Sequence, residues 1–215
     1  MNIVVLDGYT LNPGDLSWES LKPLGKCSIY KRTSPEKIIK KAIDADVLLT
    51  NKVILDKNII SQLPRLKYIC VLATGFNVVD TVFARKKNIS VSNIPAYSTE
   101  SVAQMVFALI LETTNQVGSF SRQVFNGKWT KSKDFCFYNT PLIELKDLCL
   151  GIVGYGKIGK SIIKKARAFD MNIRVFTRTI PKKASKDIIF CDLNKLLLER
   201  DIISLNCPLN KKQQI

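Results

Sequence analysis

The sequence predicts an α/β fold with largely parallel sheets, and three observations carry that expectation. Short apolar runs of strand length recur along the 215 residues, and segments of helical period separate them. An apolar content of 46% is enough to fill one large core or two small ones.

Strands are expected at 3–6, 27–30, 47–50, 68–73 and 89–92, each a short run rich in Ile, Val, Leu or Tyr. Ser34-Pro35-Glu36 reads as a cap with proline at the first helical position, after which Ile38, Ile39, Ala42 and Ile43 recur with helical period. Asp56 is the expected cap of a shorter helix that buries Ile59, Ile60 and Leu63. After Asn93-Ile94-Pro95 the texture changes. Ser98-Thr99-Glu100 opens a long apolar helix through about Val117, which places a domain boundary between residues 1–97 and 98–215. From Gly118 to Asp147, Trp129, Phe135, Phe137 and Tyr138 occur without a clear period. This stretch is expected to be neither strand nor helix: an excursion packing on a second subunit, or an ordinary loop.

Charge and cysteine content narrow the function classes. The net charge of +15 invites a nucleic-acid partner, since a basic face releases counterions on meeting phosphate. However, Lys40-Lys41, Lys86-Lys87, Lys164-Lys165 and Lys182-Lys183 are spread along the chain without interleaved aromatics, the pattern of a solvated lysine-rich surface. Six cysteines without CxxC spacing read as reduced thiols of a cytoplasmic protein, and with no histidine in the chain no metal site is expected. No apolar run approaches the roughly 20 residues that span a bilayer, so no membrane partner is expected either.

The chemistry concentrates after residue 147. A buried-strand run at 148–153 leads into Gly154-Tyr155-Gly156-Lys157-Ile158-Gly159, and Ile162, Ile163, Ala166 and Phe169 then follow at helical spacing. This is strand, G-x-G-x-x-G, helix. Gly154 permits the tight turn, Gly156 lets a pyrophosphate approach the backbone, and Gly159 lets the helix pack on the strand. The positive helix end then faces the phosphates. A second strand is expected at 172–177. Where a carboxylate would accept hydrogen bonds from the adenine ribose, the chain instead carries Thr177-Arg178-Thr179, with Lys182 and Lys183 nearby and no acid from Met171 to Lys186. A 2'-phosphate would meet donors there, which favours NADP over NAD; alternatively Arg178 points to solvent and both cofactors bind.

The order of parts resembles the D-isomer-specific 2-hydroxyacid dehydrogenases, particularly their glycerate dehydrogenase or hydroxypyruvate reductase branch. The matching stretches are Val4-Val5-Leu6-Asp7-Gly8-Tyr9-Thr10, Leu48-Leu49-Thr50-Asn51-Lys52, Ala73-Thr74-Gly75-Phe76-Asn77-Val78-Val79-Asp80, Asn93-Ile94-Pro95-Ala96-Tyr97-Ser98-Thr99 with Val102-Ala103-Gln104, and Asn206-Cys207-Pro208-Leu209. The resemblance implies a flavodoxin-like substrate domain at 1–97, and a Rossmann-type doubly wound nucleotide domain at 98–215 that carries a dimerisation arm and stops before its second half. It implies that the amides of the Thr74-Gly75 loop hold a substrate carboxylate, with Thr74 near the cofactor as well. It also implies that Asn51 and Lys52 tune substrate choice, that Lys157 and Ile158 cover the pyrophosphate, and that Cys207 and Pro208 line the cofactor path. The substrate class is a small 2-hydroxy or 2-keto acid, of the glycerate/hydroxypyruvate or glyoxylate kind, and the full-length protein is expected to be a homodimer.

The chain departs from the family at the reaction centre. Family members use an Arg, a Glu and a proton-donating His, all implied to lie beyond residue 215, so no catalytic residue is assigned and the chain alone is expected to be inactive. Half a nucleotide domain is also expected to leave a sheet edge uncovered and solubility low. The alternative is a non-catalytic, dinucleotide-sensing interaction protein of the same fold family.

Overall fold

The computed structural model describes residues 1–183 and 185–207. The chain divides into two compact units, Met1–Tyr97 and Ser98–Ile215.

In the first unit, β1 (Asn2–Val5), β2 (Lys26–Ile29), β3 (Val47–Thr50), β4 (Tyr68–Val71) and β5 (Ser90–Asn93) form one parallel sheet in the order β2-β1-β3-β4-β5. That is the flavodoxin-type order. The period-2 pattern of β1 sorts its side chains: Val4 joins the larger core with Ile38, Leu48, Ile60 and Ile69, while Ile3 and Val5 join a smaller cluster on the opposite face with Leu49. The helices α1 (Ile38–Ala42), α2 (Lys57–Ser61) and α3 (Thr81–Lys86) are all short. Asp56 caps α2 as expected, its carboxylate accepting the Ile59 N–H at 2.9 Å.

Several boundaries differ from expectation. β1, β2 and β5 are shifted by one residue, and β4 stops at Val71 rather than at 73. The Leu72 N–H still reaches Thr50 O at 2.8 Å, but the chain then bends into the loop. Ser34 does not cap α1. Its hydroxyl bonds to the Glu36 carboxylate, and Pro35–Lys37 forms a 3-10 turn before the helix begins. Local side-chain bonding of this kind competes with capping. Helix α3 has no counterpart in the sequence reading; Asp80 starts it by accepting the Phe83 N–H at 2.9 Å.

In the second unit, α4 (Thr99–Asn115) and α5 (Val117–Phe125) precede β6 (Cys149–Val153), α6 (Lys157–Ala168), β7 (Asn172–Phe176), β8 (Ile188–Phe190), α7 (Leu193–Leu198) and β9 (Ile202–Leu205). The strands are parallel in the order β8-β7-β6-β9. β6 is therefore central, and Leu150 and Ile152 are fully buried between neighbours on both sides. Ile162, Ile163 and Ala166 of α6 and Ala103, Phe107 and Ile110 of α4 cover one face. Each such Ile or Leu contributes roughly 1.5–3 kcal/mol. Phe107 stacks on Phe169 with centroids 5.2 Å apart, and Glu100 bonds both Ser161 (2.8 Å) and Lys165 (2.7 Å), fixing α4 against α6. Those two bonds, from Lys165 first and then Ser161, hold the Glu100 carboxyl below its usual range.

Helix α5 overturns the expectation that the segment after Gly118 is without helix. Gln116 takes a left-handed conformation (φ 51°) and breaks the long helix, after which Val117, Phe120 and Val124 recur at helical spacing. Gly118, a poor helix former, masked that period in the sequence; its N–H is bound by the Glu112 carboxylate at 3.0 Å. β8 and α7 were not anticipated either. No described helix is long and apolar enough to cross a membrane.

Candidate functional site

The glycine turn sits where β6 gives way to α6. Gly154 has φ 107°, a conformation that side chains rarely adopt, and a Cβ there would lie 2.6 Å from Asn206 O. A Cβ on Gly159 would run into the carbonyl oxygen of Gly154, so glycine is what lets α6 start this close to the strand. At Gly156 nothing lies within 4 Å of the Cβ position. The N–H groups from Tyr155 through Gly159 have no acceptor among the described residues; the first helical bond is from Lys160 N to Gly156 O. Lys157 and Ile158 occupy the first turn of α6. Free amides, open space and the positive end of a 12-residue helix therefore converge, which is the arrangement that holds a pyrophosphate.

Two further segments border this turn. The chain leaving β9 passes against it: Asn206 N bonds Val153 O at 2.7 Å, and Cys207 N is 3.1 Å from the Gly154 Cβ position. Pro208 lies outside the described residues. β7 ends beside β6, with Gly154 N bonded to Phe176 O at 2.8 Å, and is followed by Thr177, Arg178 and Thr179. The Thr177 hydroxyl donates to Thr179 O at 3.4 Å, whereas Arg178, Lys182 and Lys183 are exposed with no ion-pair partner among the described residues. The next acid, Asp187, is taken by Arg167 through two bonds of 2.6 and 2.9 Å, which together with the Ser185 hydroxyl hold its carboxyl at about 2.

In the first unit, the loops after β3 and β4 leave the same end of the sheet. Thr74 and Gly75 are exposed. The Thr74 hydroxyl donates to Ile94 O (3.2 Å) and the Asn93 side chain to Thr74 O (2.8 Å), tying the loop to the end of β5. The N–H groups of Thr74, Gly75 and Phe76 have no acceptor among the described residues. Three consecutive free amides suit a carboxylate.

The loop carrying Asn51 and Lys52 is different, because a residue that the sequence reading did not single out fills it. Asp7, 5% exposed, accepts the N–H groups of Asn51 (2.8 Å), Lys52 (2.6 Å) and Val53 (3.3 Å). The available signal was an aspartate directly at the end of an apolar strand run, where a buried acid needs donors. Lys52 borders a cavity of about 540 Å³ together with Asp7, Thr10 and Arg32; Asn51, Thr74 and Gly75 do not line it.

A parallel half-sheet with a glycine turn of free amides between its central strand and the next helix defines the Rossmann-type class of nicotinamide-dinucleotide proteins. The sequence model described as D-isomer specific 2-hydroxyacid dehydrogenase, catalytic domain, matches residues 4–191, and the chain belongs to that family. It is 43% identical over 213 residues to a hydroxypyruvate reductase of Blautia hydrogenotrophica, covering 97% of this chain and 66% of that protein. It is 35% identical over 181 residues to a glycerate dehydrogenase of Methylorubrum extorquens, covering 84% and 56%. The chain thus spans less than two thirds of the length of these relatives. Among solved structures, a D-lactate dehydrogenase of Aquifex aeolicus complexed with NAD and lactic acid superposes with a TM-score of 0.79 at 27% identity, covering 99% of this chain and 62% of that one. An acyclic imino acid reductase in complex with NADPH and D-Arg gives 0.78 at 26% identity, covering 99% and 67%.

Proposed function

We propose that the chain is the N-terminal part of an NAD(P)-dependent oxidoreductase that interconverts a D-2-hydroxy acid and its 2-keto acid, of the glycerate/hydroxypyruvate or glyoxylate class. The observation that carries this reading is the set of free amides from Tyr155 to Gly159 at the start of α6. In this reading, 1–97 is the substrate domain. Thr74 and Gly75 hold the acid's carboxylate with their amides, Thr74 also serving the cofactor, and Asn51 and Lys52 tune substrate choice. The cofactor residues are Gly154, Gly156, Lys157, Ile158 and Gly159 at the pyrophosphate, Thr177, Arg178 and Thr179 at the adenosine end, and Cys207 and Pro208 along the same path. The nicotinamide supplies or accepts the hydride, and this chain binds and orients the two reactants. With no histidine among its 215 residues, it does not supply the imidazole proton donor of its family.

Two finer features belong to the same proposal. Arg178, Lys182 and Lys183, without a competing acid, favour NADP over NAD. The aromatic stretch after α5 serves a homodimer: Phe135 is 90% exposed and Tyr138 76%, and Trp129 is pinned by its indole N–H to Phe135 O at 3.1 Å.

Titration calorimetry of the full-length protein with NADPH and NADH tests the reading. Binding of both is expected, with NADPH about tenfold tighter through charge-assisted bonds to Arg178. No binding of either would overturn it, and equal affinities would remove the NADP preference alone.

A further inference from the structure

The sheet of the first unit reverses its strand order between β1 and β3. In the order β2-β1-β3-β4-β5, the chain leaves β1 for a neighbour on one side and β3 for a neighbour on the other. Open α/β sheets take ligands in the crevice at the carboxyl ends of such strands. Here Asp7 fills the nest of amides after β3, and a cavity of about 540 Å³ opens beside it. Its lining comes from the segments that follow β1, β2 and β3, and its size lies within the roughly 300–1,000 Å³ of small-molecule sites.

The wall combines two chemistries. Pro35, Ile38, Ile54 and Ile59 make it apolar in part, and Ile54 is 65% exposed, an aliphatic side chain that folding leaves in water. The same wall carries the cations Arg32 and Lys52. The Arg32 guanidinium is held over the Tyr9 ring, 4.2 Å from its centroid, and neither cation has an ion-pair partner among the described residues. The two acids on the wall are turned to the backbone instead: both Asp7 oxygens accept N–H groups of the loop after β3, and Asp56 accepts the Ile59 N–H.

We infer that this cavity binds a small organic monocarboxylate with a branched or aromatic apolar body, its carboxylate on Arg32 with Lys52 adding charge, and its body against Ile38, Ile54 and Ile59. A planar guanidinium already fixed by a ring takes a carboxylate through two parallel bonds. A bare anion would leave the isoleucines in water, and an uncharged hydrocarbon would leave the guanidinium unmet. The inference does not rest on the functional reading above, and none of the free amides of the Thr74 loop or the glycine turn borders the cavity.

Calorimetry and methyl NMR of the full-length protein with isovalerate, acetate and isovaleramide test it. Isovalerate should bind at least about tenfold more tightly than acetate, which lacks the body, and than isovaleramide, which lacks the charge. Its addition should shift the methyl resonances of Ile38, Ile54 and Ile59. Arg32→Ala and Ile54→Glu, both at exposed positions, should each weaken isovalerate about tenfold while NADPH affinity stays within about twofold. Acetate binding as tightly as isovalerate, unchanged affinity in both variants, or shifts that spare all three isoleucines would each overturn the inference. The methyl shifts are read on the unaltered protein, so they decide the matter if a variant fails to fold. Displacement of isovalerate by hydroxypyruvate without shifts at those methyls would assign the acid to the amides of the Thr74 loop, overturning the inference and leaving the functional reading standing.

Discussion

The loops after β3 and β4 leave the same end of one sheet on neighbouring strands, yet their amides meet opposite fates. Those of Asn51, Lys52 and Val53 converge on the buried carboxylate of Asp7, while those of Thr74, Gly75 and Phe76 are left without an acceptor. A cluster of backbone donors is an anion site only where the chain does not fill it. By that criterion the loop after β4 and the glycine turn after β6 are open, and the loop after β3 is closed.

The largest expected effect tests the closed loop. Asp7→Ala leaves three amides without their acceptor and should cost about 3 kcal/mol in chemical denaturation, against less than about 1 kcal/mol for Thr74→Val, whose hydroxyl makes a single exposed bond. Equal losses would erase the distinction. Native-state hydrogen exchange reads the same contrast without mutation: the amides of Asn51–Val53 should exchange about a hundredfold more slowly than those of Thr74–Phe76.

At the open turn, Gly154→Ala forces a side chain into φ 107° and against Asn206 O, so dinucleotide affinity measured by calorimetry should drop about tenfold or more. An unchanged affinity would mean that the turn is not where the phosphates rest. The smallest effect belongs to Asp187, a carboxylate that pairs in the open instead of filling a nest. Its folded value of about 2 lies below the ordinary 3.8, so its contribution is present above that value and fades as pH falls toward 2. Because the pair is nearly half exposed, Asp187→Asn should lower stability at neutral pH by less than about 1 kcal/mol, and the two unfolding curves should converge in acid.

The sequence was most legible where one local rule suffices. The short apolar run of β1, the Asp56 cap and the strand–glycine–helix pattern around Gly154 are each set by residues close together in the chain, and all appear in the fold. It was less legible where local rules compete, and least legible where a distant partner decides. Ser34 read as a cap, but its hydroxyl has a rival acceptor two residues on in Glu36, and α5 was hidden by Gly118 near its start. Asp7 was visible only as part of a motif, because its three donors come from residues more than forty positions away. The free amides of Thr74–Phe76 were reachable only through the family resemblance of the 73–80 stretch, since an unfilled donor becomes evident only when every neighbouring acceptor has been placed.

Asp7 is a guest that the chain carries for itself. Being tethered, it stands at its post at an effective concentration that no dissolved anion of the cell can match. A second anion arriving at this end of the sheet would find one of the two donor clusters already taken.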